Sequence, residues 1–284
     1  MFKVSQSLVK KFFFKGEPRP HCAKQIKECD IDKTVERPPT LDTLKGIYFE
    51  TMVIGGSVHD KGLEDLPRLR TGEKSASHKR IDEQVEAFTR LCFERQVRIY
   101  KGINTQVPIR VNLNSEFYLE GIMDVFPTTF LDKNKLRLAV VDIKMTGSLD
   151  TTFGEHCWGA VQHKDDIHDK AYNYLVRNFN IEDNPHLESL ISEHVLDLCH
   201  TGNVAFYYWV FEHSPKKGTP LRQMVVEGVY NQQKQSELFE SLRKTISYIE
   251  MYDKMGWPAQ PDYDICKTCP LKETCPDVET IKRI

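Results

Sequence analysis

Apolar residues recur along this chain in two rhythms, and each predicts a different element. Val85, Phe88, Leu91, Cys92 and Ile99 return at helical spacing, so residues 81–100 are expected to form a helix with one buried stripe. Leu138-Ala139-Val140-Val141 is a continuous β-favouring run, and similar segments predict strands over 108–113, 118–126 and 136–144. A polar turn around Asp132-Lys133-Asn134-Lys135 joins the last two, which could pair as a hairpin. Further helices are expected over 5–15 with Ser5 as N-cap, over 40–52 stopped by Gly55-Gly56, over 161–179 and over 232–252. Residues 204–211 and 223–230 read as the remaining strands, and the charged, Gly- and Pro-containing stretch 57–75 reads as a loop. With no internal repeat or low-complexity tract, this order predicts an α/β fold.

Composition narrows the picture. A chain of 284 residues can bury about three quarters of its unfolded surface around one substantial core. The net charge of -2 excludes a broadly basic nucleic-acid binder, although a local patch suffices to hold phosphate. Candidate patches are Lys3, Lys10, Lys11 and Lys15 near the start, and Lys170 and Arg177 in the 161–179 helix. Eight cysteines in a long chain without a hydrophobic leader point to a reducing cytoplasm rather than a secreted disulfide framework. Phe12-Phe13-Phe14 is too short for a membrane span, and no other run approaches one. Cys92, Cys157 and Cys199 read as ordinary half-buried thiols, since His156-Cys157 and Cys199-His200 each lack a second paired ligand motif for zinc.

The chemistry concentrates in two short stretches, Gly121-Ile122-Met123-Asp124 and Val140-Val141-Asp142-Ile143-Lys144. Side chains alternate along a strand, so Asp142 and Lys144 share one face and Ile143 takes the other. Hairpin pairing would set Asp124 beside Asp142. Two carboxylates that close repel, and a bound cation or a raised pKa relieves them. Lys144 adds a positive charge near the place where an attacked phosphate accumulates negative charge.

These residues resemble the PD-(D/E)xK phosphodiesterases, specifically the RecB-like exonucleases that include CRISPR-associated members and the nuclease domain of AddB. The resemblance implies a restriction-endonuclease-like core with a central mixed sheet flanked by helices. It assigns the acids to Asp124 and Asp142 and the lysine to Lys144. The family's upstream G-x-x-x-[H/E] helix matches Gly46-Ile47-Tyr48-Phe49-Glu50, which makes Glu50 a third protein ligand beside the Ile143 carbonyl. Its Q-x-x-x-Y helix matches His168-Asp169-Lys170-Ala171-Tyr172, with His168 where glutamine is usual. The expected cofactor is Mg²⁺ or Mn²⁺, hard cations suited to oxygen ligands.

A second constellation lies near the C-terminus: Cys266, Cys269 and Cys275 at C-x2-C-x5-C, the last two followed by proline. Three thiolates make a cage one ligand short of four, suited to iron–sulfur or to zinc. The x5 spacing, the prolines and the company of the acid–lysine motif favour a 4Fe-4S cluster. Family resemblance places the fourth ligand at Cys22, with Cys29 the fallback. The expected organisation is one unit, residues 1–284, in which 1–40 and 256–284 form the cluster region and 41–255 the nuclease core. No G-x-x-x-x-G-K-[ST] loop is present, so nucleotide-driven movement along DNA is not expected. The expected function is metal-dependent DNA exonuclease activity on single-stranded or frayed ends; the alternatives are a non-catalytic DNA-binding module stabilised by a metal cluster and a structure-specific endonuclease.

Overall fold

The computed structural model describes residues 1–14, 17–55, 66, 68–150, 167–213, 221–260 and 262–275. Its centre is a six-stranded mixed sheet in which β1 (Phe2–Val4), β5 (Phe117–Asp132), β6 (Lys135–Thr146), β7 (Val204–Glu212) and β8 (Gln223–Gly228) follow in that order, with β4 (Thr105–Asn112) on the other edge of β5. The long hairpin of β5 (Phe117–Asp132) and β6 (Lys135–Thr146) is its spine, and β4 (Thr105–Asn112) pairs antiparallel with β5. Lys133 and Asn134 close the hairpin with both backbones left-handed, a two-residue turn whose twist matches that of the strands. The predicted polar turn is therefore the actual one.

β6 runs parallel to β7 (Val204–Glu212) from Leu138↔Val204 to Thr146↔Glu212, and β8 (Gln223–Gly228) closes that edge antiparallel to β7. A parallel pair needs a crossover, and α5 (Ile167–Asn178) and α6 (Glu193–His200) lie within it. Every residue of β7 is buried, so the strand is covered on both faces. Phe206, Tyr208 and Val210 enter one core, with residues of α1 (Gln6–Phe12), α5 and α7 (Gln232–Met255). Tyr207, Trp209 and Phe211 enter the other, with α3 (Leu41–Ile54) and α4 (Ala76–Glu94). The same alternation places Val140 with the first set and Val141 and Ile143 with the second. Asp142 and Lys144 are thereby on the α5 side, as the strand period requires.

Several boundaries differ from expectation for identifiable reasons. Ser75 accepts from the His78 N–H, so α4 starts five residues before residue 81. It stops at Glu94 because the next residues bond to the sheet instead: Leu131 N–H donates to the Arg95 carbonyl, and Arg98 N–H to Thr128 Oγ1. Helix α1 ends at Phe12; Phe13–Phe14 form β2, which pairs with β3 (Glu17–Pro18). Gly55, left-handed at φ 98°, caps α3 as the Gly-Gly stop suggested. Most of the 57–75 loop and the first part of the 161–179 helix lie outside the described residues.

Unpredicted elements sit mainly at the ends of the chain. β1 (Phe2–Val4) adds parallel to the start of β5, pairing Phe2 with Phe117. A short α2 (Ala23–Ile26) continues into a π-helical turn at Lys27–Ile31, and α8 (Tyr263–Lys267) opens the cysteine segment. No helix among the described residues is long and apolar enough to cross a membrane.

Candidate active site

Val125 pairs with Val141, so the next residues along the two strands are Asp124 and Asp142, and the hairpin sets them side by side. Asp124 Oδ2 accepts the Ile143 N–H at 2.7 Å, and Oδ1 accepts Gln106 Nε2 at 3.3 Å. Asp142 Oδ2 lies 2.7 Å from Lys144 Nζ. Both acids are buried. Burial first, then the charge of Asp142, hold the Asp124 carboxyl well above the ordinary carboxylate range, against the pull of Lys144 and the Ile143 amide. The Lys144 side chain keeps 35% of its exposure, so burial opposes its charge only in part. The negative charges of Asp142, Asp124 and Glu50 outweigh that opposition and raise the lysine above its ordinary value.

Tyr172 of α5 covers this pair. Burial and then the neighbouring carboxylates push its phenol well above the usual range, so it stays protonated. Gly121 explains how the helix comes so close: a Cβ there would stand 2.7 Å from Tyr172 Cε1 and 2.8 Å from Leu175 Cδ1. A glycine in a strand interior often marks such an approach of another element.

Helix α1 supplies contacts that the sequence did not reveal. Gln6 Nε2 donates to the Tyr172 hydroxyl at 3.1 Å, and Lys10 Nζ donates to His168 Nδ1 at 2.9 Å. Residues 6 and 10 on one helix thus meet 172 and 168 on the other, each pair one turn apart. The ring of His168 also stands edge-on to Tyr172, with centroids 5.8 Å apart. Beside this contact a cleft of about 550 Å³ opens between β5 and the N-terminal segment, lined by Lys3, Gln6, Cys29, Lys33, Glu120 and Tyr172 among others. Part of the expected basic patch is internally paired: Lys3 with Glu120, Lys11 with Asp30 at 3.4 Å, and Lys170 with Glu237 at 2.9 Å. Arg177 donates to the Val204 carbonyl at 3.3 Å, a packing role, and Lys15 lies outside the described residues.

Glu50, near the end of α3, is close enough to act electrostatically on Asp124, Lys144 and Tyr172. Two buried carboxylates and the half-buried Glu50 outnumber the one lysine, and their oxygens suit a hard divalent cation, so the donor set fits such an ion. Among the described residues, however, no three His, Cys, Asp or Glu side chains converge as tightly as a metal site requires.

The cysteines from the two chain ends also meet. Burial first, then the thiols of Cys22, Cys266 and Cys29, raise the pKa of Cys269. Gln260 N–H reaches Cys22 Sγ at 3.4 Å, and Lys24 N–H donates to the Pro258 carbonyl at 3.3 Å, binding α2 to the segment after α7. Cys275 is held by its N–H to the Leu271 carbonyl at 2.8 Å. The soft donor set suits iron–sulfur or zinc, but the thiols form no closed cage. Elsewhere burial alone pushes Cys92 to about 12, and burial, only partly offset by Arg177, does the same for Cys199; Cys199 is an interior thiol and Cys92 a half-buried one. His200 bonds the Phe179 carbonyl at 2.8 Å, a structural contact, while His156 and Cys157 lie outside the described residues.

A family model described as the PD-(D/E)XK nuclease superfamily matches residues 57–276, most of the chain. The chain belongs to this superfamily. The matched span takes in Asp124, Asp142, Lys144, His168, Tyr172 and the three C-terminal cysteines; Gln6, Lys10, Cys22, Cys29 and Glu50 precede it. No curated protein matches. Among solved structures, the crystal structure of a "Putative exonuclease" from Eubacterium rectale superposes with a TM-score of 0.55 at 15% sequence identity, over 93% of this chain and 86% of that one. Likeness at that identity shows a shared fold.

Proposed function

We propose that this superfamily member is a divalent-cation-dependent deoxyribonuclease, working from single-stranded or frayed DNA ends. The carrying observation is the Asp142–Lys144 pair set against buried Asp124 beneath Tyr172, on adjacent strands of one hairpin. Asp124, Asp142, the Ile143 carbonyl and Glu50 would hold Mg²⁺ or Mn²⁺. When bound, the cation activates water and stabilises charge on the phosphate and the leaving oxygen. The protein's own groups do the rest. Lys144, kept charged by the carboxylates, neutralises developing negative charge or orients the attacking water. Tyr172, kept protonated, can donate a hydrogen bond toward the scissile phosphate or position Lys144. His168, fixed by Lys10, holds the place of the glutamine usual one turn before the tyrosine.

The cysteine region is proposed to carry a 4Fe-4S cluster on Cys22, Cys266, Cys269 and Cys275, joining 1–40 to 256–284 around a nuclease core at 41–255. Its role in this reading is structural. Support comes from the spacing of the C-terminal cysteines and from the approach of both chain ends to Cys269.

Two DNA substrates test the activity. With Mg²⁺ or Mn²⁺, an end-labelled linear strand should be degraded progressively while a covalently closed circular strand survives. Cutting of the circle would replace the exonuclease reading with an endonuclease, and inertness toward both DNAs would remove the proposal.

A further inference from the structure

Strand β4 contains one residue whose backbone departs from its surroundings. The ladder to β5 pairs Thr105 with Val125 and Val107 with Met123. Between those rungs, across from Asp124, Gln106 has φ 53°, a left-handed conformation that disfavours any residue with a Cβ. Glycine would adopt it freely and asparagine readily. The position nevertheless carries a glutamine, buried, with Nε2 donating to Asp124 Oδ1 at 3.3 Å. The other oxygen of the same carboxylate accepts the Ile143 N–H at 2.7 Å. Each oxygen of Asp124 thus receives one donor from a different strand, which fixes the rotation of the carboxylate about its own axis. The strained residue sits where the site needs orientation, and the side chain it carries is the one that supplies it.

We propose that Gln106 is a positioning residue for the metal site: its left-handed backbone aims the amide at Asp124 and orients that carboxylate toward a bound divalent cation. This rests on the reading of Asp124 as a cation ligand given above. A strand position that needed only this backbone shape would be served at least as well by glycine. The glutamine is required for its amide, which reaches Asp124 from outside the β5–β6 hairpin. Outer partners of metal ligands commonly contribute about 10- to 100-fold to metal affinity.

The test is a Mn²⁺ titration of the full-length protein, followed by loss of the free-ion electron paramagnetic resonance signal, with thermal melting alongside. Gln106→Gly removes the amide and relieves the backbone; Gln106→Met removes the amide and keeps the side-chain bulk. Both should weaken Mn²⁺ binding about tenfold or more, while Gln106→Gly melts no lower than Gln106→Met. A merely structural role predicts changed melting with unchanged Mn²⁺ affinity, and that result overturns the inference. If Asp124→Ala weakens Mn²⁺ binding while both Gln106 variants bind as the wild type does, the inference alone falls. If the wild type binds no Mn²⁺, the cation reading of the site falls with it.

Discussion

The acid–lysine centre and the cysteine region are both built from a few reactive side chains, yet they are assembled in opposite ways. Asp124, Asp142 and Lys144 come from neighbouring strands of one hairpin, where strand period and register leave little choice of position. Cys22 and Cys29 lie more than two hundred residues from Cys266 and Cys269, and they are gathered by a short helix, a π-turn and a few backbone bonds. The hairpin centre is fixed before anything binds to it. The thiols are only brought near one another, and a bound cluster would have to supply the closure. A site made by a sheet is rigid and local, whereas one made by chain ends depends on its ligand for its shape.

Breaking each region should therefore do different things. Asp142→Ala should reduce cleavage of end-labelled DNA to the level of the no-enzyme control. It should melt no lower than the wild type, because it removes one of two crowded buried carboxylates. Lys144→Ala should slow cleavage by about 10² to 10³ and also lower stability, by about 1–2 kcal/mol once solvent screening of this part-exposed lysine is allowed for. Two variants equally stable, or an active Asp142→Ala, would contradict the electrostatic account.

Gly121→Ala sharpens the comparison by disturbing the hairpin centre without touching an acid. The added methyl meets Tyr172 and Leu175 well inside van der Waals contact. It should cost about 1–3 kcal/mol by overpacking and should depress cleavage by displacing Tyr172. Wild-type melting and activity together would mean that α5 does not pack as described.

In the cysteine region, serine at Cys266, Cys269 or Cys275 should bleach anaerobically purified protein, strip its iron and sulfide, and lower its melting temperature. Cleavage by the fraction still folded should change little. Replacement of Cys22 should bleach the protein as well, and replacement of Cys29 should not. Stoichiometric zinc without iron would overturn the cluster, and bleaching by Cys29→Ser alone would reassign its fourth ligand. The smallest effect belongs to Cys92 and Cys199, whose thiols are pushed up to about 12. Their labelling by a thiolate-seeking reagent at pH 8 should be about 10³-fold slower than that of a free cysteine of ordinary pKa and should speed up as pH rises. Ready labelling in native protein would show that packing does not raise their pKa as described.

What the chain disclosed follows from the range of each interaction. The pairing of Asp124 with Asp142, the shared face of Asp142 and Lys144, and the turn at Lys133 and Asn134 all depend on residues close in sequence, and all were legible. The family pattern brought in Glu50, His168 and Tyr172, which short-range rules could not connect. Gln6 was visible only as a polar helix position and Lys10 only as part of a basic patch, because their partners stand more than 150 residues away. Gln106 gave no signal, since nothing about a glutamine in a β-favouring segment announces a left-handed backbone. Helix α4 ended early because sheet hydrogen bonds captured residues whose apolar spacing was helical, a tertiary preference that overrides local periodicity.

The parallel pairing of β1 with the distant start of β5 has a consequence for biosynthesis. Phe2–Val4 pairs with residues 117–119, so this strand is made without its partner until those residues emerge. At a synthesis rate of about 10 residues per second, that wait is on the order of ten seconds. During it, α1 with its apolar face of Leu8, Val9 and Phe12 has neither β5 nor α5 to lie against. The same segment carries Gln6, which lines the cleft beside Tyr172, and Lys10, so that wall of the cleft is synthesised well before it can be seated. Until β5 and α5 have formed, the nascent chain cannot hold Tyr172 and His168 against Gln6 and Lys10, and the proposed activity would have to await that docking step.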